Sequence, residues 1–126
     1  METNEYQHLE LALRMFEDAK GCIEKEDAVQ ASEKLYKASE EALKVLAERF
    51  ALREYVEAER KGRWSVALLF RAVRKLSEIN PAIINFWDHA WTLHVEGFHE
   101  ARLTIEDVKE REKFIEELVK IAKEMR

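Results

Sequence analysis

One proline and three glycines in 126 residues leave this chain few places to turn. Neither residue occurs between positions 27 and 61. Against alanine, an interior glycine costs a helix about 1 kcal/mol and a proline about 3 kcal/mol. A stretch free of both, and rich in Glu, Lys, Leu and Ala, is therefore expected to be helical. The apolar spacing agrees. Leu9, Ala12, Leu13, Phe16, Ala19 and Ile23 recur at helical intervals, and so do Leu35, Ala38, Ala42, Val45, Leu46 and Arg49. Further stripes run through Leu69, Ala72, Val73 and Leu76, and through Ile105, Val108, Ile115, Leu118, Ala122 and Met125.

The ends of these helices are written in cap residues. Thr3 or Asn4 can open the first, which should end near Lys25, and Glu26-Asp27 starts the second. That second helix either runs unbroken to Lys61 or breaks within residues 50–54. Arg60-Lys61-Gly62 suits its end, with cations in the last turn before a residue fit for a left-handed cap. The third helix starts at Trp64 or Ser65 and runs to about Glu78. Asn80 then caps a fourth that has Pro81 in its first turn and ends near Arg102. Thr104-Ile-Glu-Asp107 carries a capping signature for the last helix. The expected fold is all-α: an antiparallel, up-and-down bundle of four main helices plus a shorter one, forming a single domain over residues 1–126.

The lone Cys22 can form no internal disulfide, no run of about 18 apolar residues exists, and the N-terminal residues do not make a signal peptide. A cytoplasmic protein without a membrane partner is expected. Net charge is −5, yet residues 49–75 hold eight basic and three acidic side chains, so the remainder carries −10. Arg60, Lys61, Arg63, Arg71 and Arg74 lie in this basic band. They could meet a phosphate backbone, although a solvated helix face explains them as simply.

Chemistry concentrates in residues 85–100, which contain two of the three tryptophans and three of the four histidines. Trp87, Trp91, His94 and Phe98 fall on one face at about 100° per residue. His94 is either a core imidazole or one lining a groove. His89, His94 and His99 are spaced five apart, which separates successive members by about 140° on a regular helix. They are not expected to converge as metal ligands. Glu96 and His99 have Glu-x-x-His spacing, but a di-iron bundle needs a second such motif and none is present. Neither a metal nor another cofactor is expected. Gly97, inside the helix, implies a close approach; a symmetric partner helix crossing there would account for it. His89 and His99 read most simply as surface residues.

Two blocks, Gln30-Ala-Ser-Glu-Lys-Leu-Tyr-Lys-Ala-Ser-Glu-Glu-Ala-Leu-Lys-Val-Leu-Ala47 and Ala90-Trp-Thr-Leu-His-Val-Glu-Gly-Phe-His-Glu100, resemble the archaeal PaREP family. That family's second block usually reads Leu-His-x-Asn-Phe-Tyr-Glu. Here Leu93, His94 and Glu100 keep the pattern and His99 replaces the tyrosine. The family is similar in fold to the HEPN superfamily of helical bundles. These commonly dimerise and act as ribonucleases of toxin–antitoxin systems or as nucleotide-binding companions of a nucleotidyltransferase. The ribonuclease motif is Arg, four to six residues, then His. In this chain His94 stands in place of the Arg, Val95 in place of a common Asn, and no Arg has a His four to six residues after it.

The resemblance thus implies a homodimer through the region of the fourth helix, with RNA, a nucleotide or a nucleotidyltransferase as partner. Three functions follow. The first is a non-catalytic nucleotide-, RNA- or partner-binding module. The second is a divergent metal-independent ribonuclease, with His94 and His99 acting across a dimer groove. The third is a structural or regulatory oligomer. The candidate catalytic residues are His94 and His99, and Trp91 and Glu96 join the basic band as candidate binding residues.

Overall fold

The computed structural model describes residues 4–124. They form six α-helices and one π-helical segment, with no strand among the described residues. The α-helices are α1 (Asn4–Glu24), α2 (Ala28–Arg49), α3 (Arg53–Lys61), α4 (Val66–Ile79), α5 (Ala82–Thr92) and α6 (Ile105–Glu124), and the π segment spans Leu93–His99. The all-helical expectation holds with more segments than expected, because two of the helices are interrupted. The possible cap at Thr3 and the inward position of Met125 lie outside the described residues.

Helix α2 contacts every other element. Its inner positions explain how: Ala31, Leu35, Ala38, Ala42, Leu43, Val45, Leu46 and Ala47 are all fully buried. The alanines let α1 approach closely through its own buried Ala12, Phe16 and Ala19. The scaffold is thus centred on α2 rather than on the histidine-rich stretch, which docks against it.

The break between α2 and α3 is a left-handed turn at Ala51, with φ 50°. The Leu52 amide donates to the Ala47 carbonyl and the Ala51 amide to Glu48, the paired bonds of a Schellman cap. Glu26, with φ 58°, ends α1 by the same pattern. Only Gly62, with φ 77°, uses the residue such a turn prefers. The expected N-caps are present. Asp27 accepts from the Gln30 amide, Ser65 from Leu68 and Asn80 from Ala82. Thr104 and Asp107 bond each other's amides at 2.9 and 3.2 Å.

Partly buried ion pairs and hydrogen bonds tie α1 and α6 to α2. Arg49 meets Glu5 at 2.8 Å and donates to the Ala122 carbonyl. Glu41, only 5% exposed, accepts from His8 Nδ1 at 2.6 Å and from Lys44 Nζ at 2.7 Å. Burial pushes the Glu41 carboxyl up, but these two hydrogen bonds outweigh it and hold the group below its ordinary value.

Candidate functional site: a carboxylate and two imidazoles on a π-helical turn

The rod that begins at Ala82 changes its winding at Leu93. In a π-helix the hydrogen bond runs from i to i+5, so residues five apart stack instead of diverging. The consequence overturns the expectation from a regular helix. His99 Nε2 lies 3.2 Å from His94 Nε2, with the rings edge-to-face at 4.5 Å. His99 is exposed, as expected, but it is not isolated.

Gly97 allows the wide turn to lie against α2. It is buried, and a Cβ there would sit 2.1 Å from Ser32 Oγ and 2.6 Å from Ser32 Cβ. The close approach implied by this glycine is therefore made within one chain, so a partner helix is not needed to explain it. The segment then ends on Ala101 in the left-handed region, with Arg102 N–H donating to the Glu96 carbonyl at 2.8 Å.

Helix α2 supplies the other half of the site. Glu33 Oε1 is 3.1 Å from His94 Nδ1, and both side chains are 19% exposed. The His94 ring stacks on Tyr36 at 4.1 Å, and Trp91 lies 5.3 Å and Phe98 6.3 Å from it. Tyr36 is buried and hydrogen-bonded to Glu40. Burial, with the Glu40 and Glu33 carboxylates nearby, raises its pKa, so the phenol stays neutral. His94 is neither sealed in the core nor free: it is packed on one face and anchored at one nitrogen, and its second nitrogen is aimed at an exposed histidine.

That arrangement fixes proton positions. A Glu33 carboxylate can only accept, so His94 Nδ1 carries the hydrogen. In neutral His94 the Nε2 then holds a lone pair, and His99 Nε2–H donates to it. The chain Glu33–His94–His99 leads from a half-buried carboxylate to solvent.

The remaining expected site residues are dispersed. Trp91 belongs to the aromatic cluster, 5.0 Å from Phe70 and 6.1 Å from Tyr36. Glu96 pairs with Arg102 at 3.0 Å. Lys61 and Arg71 reach Glu57 at 4.0 and 3.9 Å, Arg60 borders a shallow hollow with Arg53, and Arg63 lines a separate cleft beside His8. Arg74 is exposed. None of these five cations is joined to the histidine pair by a hydrogen bond or ion pair. His89 also departs from expectation. It is half-buried, stacks on Phe114 at 3.9 Å and faces Arg111 Nη1 at 2.9 Å; burial and that guanidinium lower its pKa and keep it neutral. Among the described residues, no group of three His, Cys, Asp or Glu side chains is placed to hold a metal ion.

Sequence reasoning missed Glu33 and Tyr36 as site residues. They lie three apart on α2, one turn of one face, but nothing in the sequence links Glu33 to a histidine 61 positions away, or Tyr36 to the same ring.

Fold and site together define a small all-helical protein that presents a carboxylate–imidazole–imidazole chain at its surface. The chain belongs to the archaeal PaREP1/PaREP8 family, whose model matches residues 7–119. It is similar to a protein from Sulfolobus solfataricus known from a crystal structure. The two are 43% identical, with a TM-score of 0.82, over 89% of this chain and 92% of that one. The solution structure of the Orf c02003 protein is likewise similar, at 42% identity and TM-score 0.79, over 89% of this chain and 88% of that one. No curated protein matches. No helix among the described residues is long and apolar enough to cross a membrane.

Proposed function

We propose that this protein is an RNA-directed acid–base catalyst, a divergent metal-independent ribonuclease on an antiparallel HEPN-type bundle that works as a homodimer. One observation carries the reading: His94 is held by Glu33 at Nδ1 and turns Nε2 toward a second, exposed imidazole 3.2 Å away. A carboxylate that fixes the tautomer of a histidine, leaving the other nitrogen to take a proton, is the working geometry of a general base. The nitrogen that now receives the His99 hydrogen would receive that of a ribose 2′-hydroxyl once His99 swings aside.

In the proposed step His94 Nε2 takes the 2′-hydroxyl proton and the 2′ oxygen bonds to phosphorus. The bond from phosphorus to the 5′ oxygen breaks, and protonated His99 gives its proton to that oxygen. The products are a 2′,3′-cyclic phosphate and a 5′-hydroxyl, with no metal or water consumed. Trp91 and Phe98, partly exposed beside His94, offer rings against which a base can stack.

A second reading is favoured by a specific observation: His94 stands where the HEPN motif has Arg, and no cation of the Arg60–Arg74 band contacts the pair. A site without a phosphate anchor suits a non-catalytic nucleotide- or partner-binding module, such as the companion of a nucleotidyltransferase in a toxin–antitoxin pair. The test is cleavage of a mixed RNA pool in chelator by wild type, His94→Ala, His99→Ala and Glu33→Gln, each confirmed folded. Chromatography coupled to light scattering should give twice the chain mass of 14.9 kDa. Loss of cleavage in both histidine variants, with a weaker loss of about 10- to 100-fold for Glu33→Gln, supports the catalyst. A wild type that leaves RNA intact overturns it in favour of the binding module.

A further inference from the structure

A second feature of ligand size lies away from the histidine pair. Where the start of α1, the middle of α2, the end of α3 and the turn into α4 converge, they leave a cleft of about 460 Å³. Small-molecule sites typically span about 300–1,000 Å³. Its walls include His8, Lys44, Tyr55, Glu59, Arg63 and Trp64. The room comes from small residues: Ala58 is buried along it, and Gly62, left-handed at φ 77°, has no atom within 4 Å of where a Cβ would stand.

Three observations describe what would fit. The first is charge. Lys44 and Arg63 line the cleft against one lining carboxylate, Glu59, so its wall is net positive in a protein of net charge −5. Lys44 is partly spent on the buried Glu41 and on Glu40, whereas the Arg63 guanidinium has no hydrogen-bond or ion-pair partner among the described residues. A guanidinium offers a planar fork of donors matched to a phosphate or carboxylate. The second is the state of the rings. Tyr36, Phe70, Trp87, Trp91 and Phe98 pack against one another and His94, but among the described residues neither Tyr55 nor Trp64 has an aromatic ring partner. Both are half-exposed, and Trp64 rests one side on the core. The third is a fixed imidazole. His8 commits Nδ1–H to Glu41 at 2.6 Å, so Nε2 is the nitrogen left to meet a ligand.

We infer that this cleft binds a free nucleoside monophosphate. Tyr55 and Trp64 take the planar base, Arg63 takes the phosphate, and Lys44 and His8 Nε2 add polar contacts. One arginine without a partner among the described residues and one shared lysine match a single phosphate; a triphosphate would bring more charge than the lining can meet. The inference is independent of the acid–base reading of His94 and His99, because no residue is common to the two sites.

The test is titration of the whole protein with AMP, GMP, CMP and UMP, followed by calorimetry and by amide and indole NMR shifts, with inorganic phosphate and adenosine as the two halves of the ligand. At least one monophosphate should bind saturably, at least about tenfold more tightly than either half. The shifts should centre on the Gly62 amide and the Trp64 indole. Arg63→Ala should weaken binding at least about tenfold, while Lys109→Ala, which removes an exposed cation of α6, should leave it unchanged. Because Trp64 supports the core, Tyr55→Ala is the variant for the stacking wall. The proposal is overturned by absence of saturation up to about 5 mM, by binding that ignores Arg63→Ala, by phosphate alone binding as tightly as the nucleotide, or by an equal loss of binding in Lys109→Ala.

Discussion

Helix α2 carries two glutamates that each hold a histidine from another element, eight positions apart, and the two pairs are built for different work. Glu41 is 5% exposed and has both oxygens occupied, one by His8 and one by Lys44. It is a clamp between α1 and α2. Glu33 is 19% exposed, its histidine stacks on Tyr36, and that histidine's second nitrogen points outward to His99. A saturated carboxylate fixes two elements in place. A carboxylate with one imidazole partner, continued to solvent by another, can orient a proton. The same two residue types thus give a tether or an acid–base relay according to burial and the number of partners.

The largest effect that separates the pairs is on chemistry. His94→Ala should reduce RNA cleavage by about 10²- to 10⁴-fold with little change in melting temperature. A variant with equal loss of cleavage and stability would erase the distinction. Next comes Glu41→Ala, which leaves Lys44 and His8 without their buried partner. Removing one member of a fully buried pair costs about 3–5 kcal/mol. Lys44 and His8 are 14% and 27% exposed, so solvent screening brings the expected cost to about 2–3 kcal/mol by urea titration. Cleavage by the folded fraction should be unchanged.

Gly97→Ala sharpens the comparison from the other side. The added methyl collides with Ser32, and the expected destabilisation is about 1–3 kcal/mol, partly recovered in the double variant with Ser32→Gly. A neutral Gly97→Ala would mean that the π turn does not depend on this contact. The smallest effect is on pH dependence. Glu41 has its folded pKa held below the ordinary 4.5. Its contribution to stability is therefore complete above that value and lost as pH falls through the lower folded one. The stability gap between wild type and Glu41→Gln should hold above pH 4.5 and narrow as pH falls below it. A gap that widens with acid would show that Glu41 is not the stabilising partner.

The helices were legible because their signals are local. Asp27, Ser65, Asn80 and the Thr104–Asp107 pair announce helix starts, and Gly62 announces an end. The ends at Glu26, Ala51 and Ala101 carried no such signal, since these residues adopt φ between 50° and 58° without the glycine that would advertise it. This is why the break between α2 and α3 could not be decided from the sequence. The site was legible in part. The aromatic face of Trp87, Trp91, His94 and Phe98 follows from ordinary helical spacing. The meeting of His94 and His99 does not, because it depends on a change of winding that apolar periodicity does not encode. Glu33 was hidden for a different reason: its tie to His94 spans 61 positions and exists only once the helices have packed.

The π segment also makes the site a matter of chain length as well as residue identity. A single-residue deletion within residues 95–98 would let the rod resume α-helical winding with every ring upstream still in place. His99 would then stand four positions after His94, where α-helical winding still leaves the two rings as neighbours. A single insertion there, by contrast, would swing it about 100° away and break the bond. Substitution libraries, which keep the count fixed, would report a tolerant loop around two histidines. A library of one-residue insertions would find a position where the count itself is under selection, and one-residue deletions would be tolerated more readily.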